Sequence, residues 1–144
     1  MKHFAIGILF LTPLMFAESK VKMEDLPPAV RSAVAEQTKG ATLIGITKEV
    51  EKGKTMYEVE TKVDGRTRDL MFDKTGAMVT VEQEIDLATL PAAAKDAIEK
   101  KAAGAEIKKV ESVTEGSKVS YEATFSRKGK TSEFAVNADG SVKK

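Results

Sequence analysis

The sequence predicts an α+β fold of two tandem units, each one helix packed on a three- to four-stranded antiparallel sheet. Three observations carry this expectation. Shifted by 64 residues without a gap, residues 26–80 lie on 90–144, and thirteen of these 55 positions are identical. Composition alone would match roughly three or four, so the chain contains an internal repeat. In each copy the apolar period changes from helical to alternating after the Leu-Pro pairs Leu26-Pro27 and Leu90-Pro91. Each copy also carries a two-residue hairpin signal at the same place, strong at Asp64-Gly65 and weaker at Lys128-Gly129.

The elements follow in order. Asp25 and Thr89 are competent N-caps, and the prolines after them suit a first helical turn. Val30, Ala33, Val34 and Gln37 mark one face of the first helix, and Ala94, Ala97, Ile98 and Lys101 mark that of the second. Gly40 and Gly104 stand where a helix ends in a left-handed residue, which places the helices at about 26–39 and 90–103. Alternation then predicts first strands at 43–50 and 107–114, the second with a bulge.

The hairpin tips set the register that follows. Val59 should face Leu70 and Tyr57 should face Phe72; in the second copy Ala123 meets Phe134 and Tyr121 meets Val136. These eight residues form the expected cores under the helices. The other face carries Glu58, Glu60, Lys62, Thr67, Asp69 and Met71, then Ser120, Glu122, Thr124, Thr131 and Glu133, and should be open to water. Turns at 73–76 and 137–140 lead to a last strand near 77–83 in copy one and a short one in copy two. Residues 84–88 connect the copies.

The first residues read as a targeting segment. Met1-Lys2-His3 gives a positive start, residues 4–16 are apolar apart from Thr12-Pro13, and Ala17, Glu18 and Ser19 follow. This is the layout of a secretory signal peptide, with an uncleaved anchor as the alternative. Residues 1–19 are therefore set apart, leaving a first repeat at 20–84 and a second at 85–144. Cleavage after Ala17 or after Ser19 fits the pattern. Cleavage after Ser19 removes Lys2, His3 and Glu18, so that 23 basic and 22 acidic residues become 22 and 21. The mature chain then has neither His nor Cys. Near-neutral charge supplies no electrostatic footprint for nucleic acid. An exported domain without cysteine relies on its core rather than on disulfides.

The same composition narrows the chemistry. Nucleophile–base pairs, thiol chemistry and the commonest zinc ligands are missing, so carboxylates are what remain. Glu58, Glu60 and Asp69 gather on the open face, with Glu60 opposite Asp69. They read as a weak calcium site, as a docking point for a basic partner, or as solvated groups offset by Lys62. Asp73 and Gly76 read as a turn. The lysine pairs Lys100-Lys101, Lys108-Lys109 and Lys143-Lys144 read as solubilising surface. Met56 and Met71 suit either an adaptable contact surface or the seam between the copies.

The strand Tyr57-Glu58-Val59-Glu60, the Asp64-Gly65 hairpin and the turn from Phe72-Asp73 to Gly76 resemble the PepSY module. The tandem arrangement, Leu-Pro helix starts and leader resemble the PepSY-like family of β-lactamase-inhibitor-like proteins. The resemblance implies an exported, non-enzymatic protein whose sheet presents a surface to another protein. In the tandem inhibitor fold two helix-plus-sheet units form a saddle that grips the enzyme. PepSY modules beside peptidase domains are associated with restraint of the peptidase. This chain departs from the inhibitor in lacking cysteines and in placing Tyr57, Phe72, Tyr121, Phe125 and Phe134 on the face expected to be buried, so the open face has no aromatic anchors.

The resulting expectation is a periplasmic or secreted module that binds another exported protein, with inhibition or restraint of a peptidase or other exported enzyme as its specific form. A small-ligand or calcium-binding envelope sensor is the alternative. No catalytic residue, cofactor or metal site is assigned, and neither nucleic acid nor, after signal cleavage, membrane is expected as a partner. Partner contacts are expected from Met56, Glu58, Glu60, Asp69, Met71, Glu122 and Glu133.

Overall fold

The computed structural model describes residues 17–51 and 53–143. Its elements are β1 (Ala17–Lys20), α1 (Pro28–Gln37), β2 (Thr42–Glu51), β3 (Lys54–Val63), β4 (Arg66–Asp73), β5 (Met78–Glu84), α2 (Ala92–Ala102), β6 (Glu106–Glu115), β7 (Lys118–Arg127) and β8 (Lys130–Asn137). All eight strands belong to one antiparallel sheet, each bonded to its neighbours in sequence order. This corrects the expectation of two separate helix-on-sheet units. β5 does not end a first sheet; it pairs with β6 from Thr80 opposite Glu115 to Glu84 opposite Glu111. The physical reason is the edge. A strand left at the rim of a small sheet presents a row of unpaired N–H and C=O groups, and the start of the second copy satisfies them.

The repeat continues into this pairing. Ala17–Lys20 meets β2 in the register Ala17–Val50 to Lys20–Thr47. Advanced by the same interval, Val81–Thr114 to Glu84–Glu111 is the β5–β6 register. Thus β1 is the counterpart of the end of β5. Both hairpins adopt the expected register: Tyr57–Phe72 and Val59–Leu70, then Tyr121–Val136 and Ala123–Phe134. Bulges interrupt β2 between Leu43 and Gly45 and β6 between Ile107 and Lys109, where only the second was expected. The expected short last strand of the second copy is a single bridge, Val136 to Val142.

Both helices start two residues later than expected, after Pro27 and Pro91, and Asp25 and Thr89 instead end short 3-10 turns at Met23–Asp25 and Leu87–Thr89. The cause is the proline. Leu26 and Leu90 each precede one and are pushed into extended backbone, ψ 145° and 152°, so the helix cannot begin before them. The two leucines serve as core residues. Leu26 joins Val30, Val34, Ile46, Tyr57, Val59, Leu70 and Phe72 beneath α1. Leu90 joins Ala94, Ile98, Ala102, Val110, Ala123, Phe125 and Val136 beneath α2. Both helices therefore pack on the same face of the sheet that these strand residues share.

The targeting segment read at residues 1–19 lies, as far as residue 16, outside the described residues, as does Lys144.

Candidate functional site

Strand alternation sends the residues between these core positions to the helix-free face. On β3, β4 and β5, Glu60 stands opposite Asp69 and Asp69 opposite Glu82. On β5, β6 and β7, Glu84 stands opposite Glu111 and Glu111 opposite Glu122. Like charges directly opposed typically destabilise a sheet by about 0.2–1 kcal/mol per pair, so two such rows work against the fold. Glu58 and Glu133 flank them, and Glu133 lies opposite Thr124.

The expectation that this face is open to water is corrected at its centre. Glu58 and Glu82 are each 7% exposed and Glu111 is 4% exposed, with Thr47, Val113 and Ser120 buried beside them. Register supplies the cover: Glu58 is flanked by Thr47 on β2 and Met71 on β4, and Glu82 by Asp69 and Val113. Among the described residues the one ion pair made by this group is Lys109 Nζ to Glu111 Oε1 at 2.8 Å. The approach is close but not aligned as a hydrogen bond, so Glu111 Oε1 is a buried acceptor with no hydrogen-bond partner.

Electrostatics follow from burial and crowding. Burial, then the charges of Glu49, Asp69, Glu60 and Glu18, pushes Glu58 up to about 8. Glu82 also reaches about 8, through burial and then Glu111, Glu122, Asp69 and Glu58. Glu122 rises to about 7 through burial and Glu133, with Lys109 and Lys143 opposing. Asp69 rises to about 6 through burial and Glu111, against the pull of Lys109. Burial likewise raises Glu133. Burial alone would lower Lys109, but Glu111, Asp69 and Glu82 more than compensate and raise it. At neutral pH this face shares protons among its carboxylates.

The expected contact residues fall into two groups. Glu58, Glu60, Asp69 and Met71 sit together on β3 and β4, with Met71 paired to Glu58. Glu122 and Glu133 sit on β7 and β8, separated from them by β5 and β6. Met56, opposite Asp73, lines a neighbouring cavity of about 440 Å³ with Gly53, Lys54, Thr55, Lys74, Thr75 and Val79. The residues missed by sequence reasoning are Glu82, Glu111 and Lys109, on the two strands that join the halves. Glu82 is the repeat counterpart of Glu18, and that identity is the signal that could have found it. The turn reading of Asp73 agrees with its contacts: its Oδ1 accepts from Thr75 N at 2.8 Å, Thr75 Oγ1 at 2.6 Å and Ala77 N at 3.1 Å.

The molecule is thus a single antiparallel sheet with two helices on one face and a carboxylate-rich second face. The chain belongs to the family described as "Putative beta-lactamase-inhibitor-like, PepSY-like", whose model matches residues 15–80 and 63–143. Among solved structures it is similar to one from Bacteroides eggerthii DSM 20697 described as "putative periplasmic proteins", with a TM-score of 0.65, 16% identity, and 81% of this chain and 85% of that one covered. It is also similar to a DUF2874 family protein from Bacteroides ovatus ATCC 8483, with a TM-score of 0.63, 16% identity and coverage of 83% and 85%. A BLIP-like protein from Bacteroides fragilis NCTC 9343 aligns with a TM-score of 0.58, 20% identity and coverage of 83% and 84%. At these identities the likeness is one of fold. Among curated proteins none matches this sequence. No helix among the described residues is long and apolar enough to cross a membrane.

Proposed function

We propose that this protein is an exported, non-catalytic module that binds another exported protein through the helix-free face of its sheet, with a peptidase or another exported enzyme as the class of partner. The observation that carries the reading is the charge arrangement. Glu58, Glu60, Asp69, Glu82, Glu111, Glu122 and Glu133 share one face, and among the described residues Lys109 makes the one ion pair with them. A partner that inserts Lys or Arg side chains there supplies the missing positive charge, and Met56 and Met71 offer adaptable apolar contacts beside it. The inhibitor-like family and the absence of Cys throughout and of His after residue 3 support a binding role over catalysis. The periplasmic description of a structural relative supports export.

The test begins with a crosslinking pulldown from the cell envelope, followed by association kinetics with the purified partner. Glu60→Lys with Glu122→Lys should slow association about tenfold or more at low salt, with the difference shrinking as salt rises. An unchanged low-salt rate would remove this face as the docking site. The sheet edges would then be the place to look.

A further inference from the structure

We propose that Asp69, Glu82 and Glu111 form a calcium-binding site on the helix-free face, made from the two strands that join the halves and the strand beside them. The three residues come from adjacent strands β4, β5 and β6. Asp69 lies opposite Glu82, and Glu111 lies opposite Glu84, one diagonal step from Glu82. One carboxylate oxygen from each falls within 4.8 Å of the other two.

Coordination chemistry selects the ion. Calcium takes six to eight oxygens in flexible geometry, whereas magnesium demands near-ideal octahedral geometry at about 2.0–2.1 Å and keeps several of its waters, so a carboxylate cluster set by sheet register suits calcium better. The donors are all carboxylate oxygens, which favours a hard cation over zinc or copper. Water molecules would complete the six to eight ligands that calcium takes.

A cluster of acids alone would not establish a site; the second observation is Glu82 itself. It is 7% exposed, points its carboxylate into the cluster, and has neither a hydrogen bond nor an ion pair among the described residues. Glu111 Oε1, also buried, has no hydrogen bond. Proteins rarely bury a carboxylate without a partner, because desolvation is then uncompensated. A divalent cation between these three groups supplies that partner to Glu82 and is shared by Asp69 and Glu111. Lys109, 2.8 Å from Glu111 Oε1, is then an internal competitor that neutralises one carboxylate of the three and is released when the ion binds. The site does not depend on the protein-binding reading above.

Calorimetric titration of the mature chain with calcium chloride, and separately with magnesium chloride, at pH 8 and low salt tests it. Calcium should saturate at one ion per chain with a dissociation constant of order 10⁻⁴–10⁻³ M, as for extracellular calcium modules, and magnesium should bind more weakly. Glu82→Gln should weaken calcium at least tenfold with an unchanged circular dichroism spectrum, and Lys109→Met should tighten it severalfold. Asp69→Asn serves as the second ligand variant should Glu82→Gln fail to fold. Absence of saturable calcium binding, or a folded Glu82→Gln or Asp69→Asn protein that binds like wild type, would overturn the site. Magnesium binding as tight as calcium would overturn the choice of ion.

Discussion

At the scale of single residues, Glu58 and Glu82 are the unusual members of this chain, because each sits in a place that favours its proton. Their native pKa values near 8 stand above the ordinary 4.5, so the folded protein binds more protons than the unfolded chain between those values. The stability they contribute is fully present below about pH 4.5 and is lost as pH rises through about 8. Asp73 and Asp139 act oppositely: side-chain and backbone donors of Thr75 and Ser141 hold them below 3.8, so their contribution fades as pH falls through that range. Urea denaturation should therefore give a higher midpoint at pH 5 than at pH 8. Glu82→Gln should raise unfolding free energy at pH 8 by on the order of 1 kcal/mol or more and change little at pH 5. A midpoint independent of pH in the wild type would contradict the burial of these groups. The aromatic core offers a second residue-scale measurement. Phe72 is fully buried, and Phe72→Ala should cost about 3–5 kcal/mol. Phe134, expected from register to be its equal, is only half-buried, with Lys101 Nζ 5.3 Å from its ring centroid, and Phe134→Ala should cost clearly less. Equal midpoints for the two variants would count against that difference.

At the scale of elements, periodicity and turn chemistry made most of the strands legible, and both hairpin registers followed from a two-residue tip. What stayed hidden is what alternation does not encode. The pattern Val81-Glu82-Gln83-Glu84 says which side chains share a face, yet carries no information about which strand lies beyond the outer edge, so Glu82 and Glu111 could not be brought together. Lys109 was hidden by the β6 bulge, which sets it opposite Thr124 and hence among the acids. The helix starts were misplaced because the extended preference of a residue before proline outweighs a good capping side chain at Asp25 or Thr89. Two element-scale predictions follow from contacts the sequence did not reveal. Gly76 has φ +85°, and a Cβ there would come 2.7 Å from the Ala29 carbonyl oxygen in the first turn of α1; Gly140 repeats this at 2.6 Å from Ala93 O. Gly76→Ala should thus destabilise by more than the roughly 1 kcal/mol that conformation alone accounts for, and a denaturation midpoint equal to wild type would refute the contact. The other concerns the leader. Cleavage after Ser19 would delete three of the four residues of β1, whereas cleavage after Ala17 keeps Glu18, Ser19 and Lys20 on β2. Mass spectrometry of the native protein should find Glu18 at the N-terminus; a mature form starting at Lys20 would show that β1 is not part of the working molecule.

At the scale of the whole molecule, the single sheet changes what a half of this chain can do. Cut after Glu84, the first half would carry β5 with its outer row of backbone groups unpaired, from Thr80 to Glu84. The second half would lose the strand that covers β6, leaving Ile85, which packs against the second core and whose N–H bonds to Val110 O at 2.9 Å, as its unsupported first residue. Each half of about 60 residues also buries too little surface to spare such a loss. Residues 17–84 and 85–144, expressed separately, should therefore lack cooperative unfolding as monomers, and the first should self-associate through its open edge. Mixed together they should recover part of the sheet, because the β5–β6 register is the one interaction the cut interrupts between named strands. The intact chain should unfold in one transition, with tyrosine fluorescence and circular dichroism coincident, since Tyr57 and Tyr121 report on opposite halves of the same sheet. A monomeric half that unfolds cooperatively, or two separate transitions in the intact chain, would show that the joined strands pair without coupling the two cores. If the transitions coincide, the carboxylate rows that cross β5 and β6 sit at the seam that holds the halves together. A ligand bound there would then stabilise both cores at once, raising a single midpoint rather than one of two.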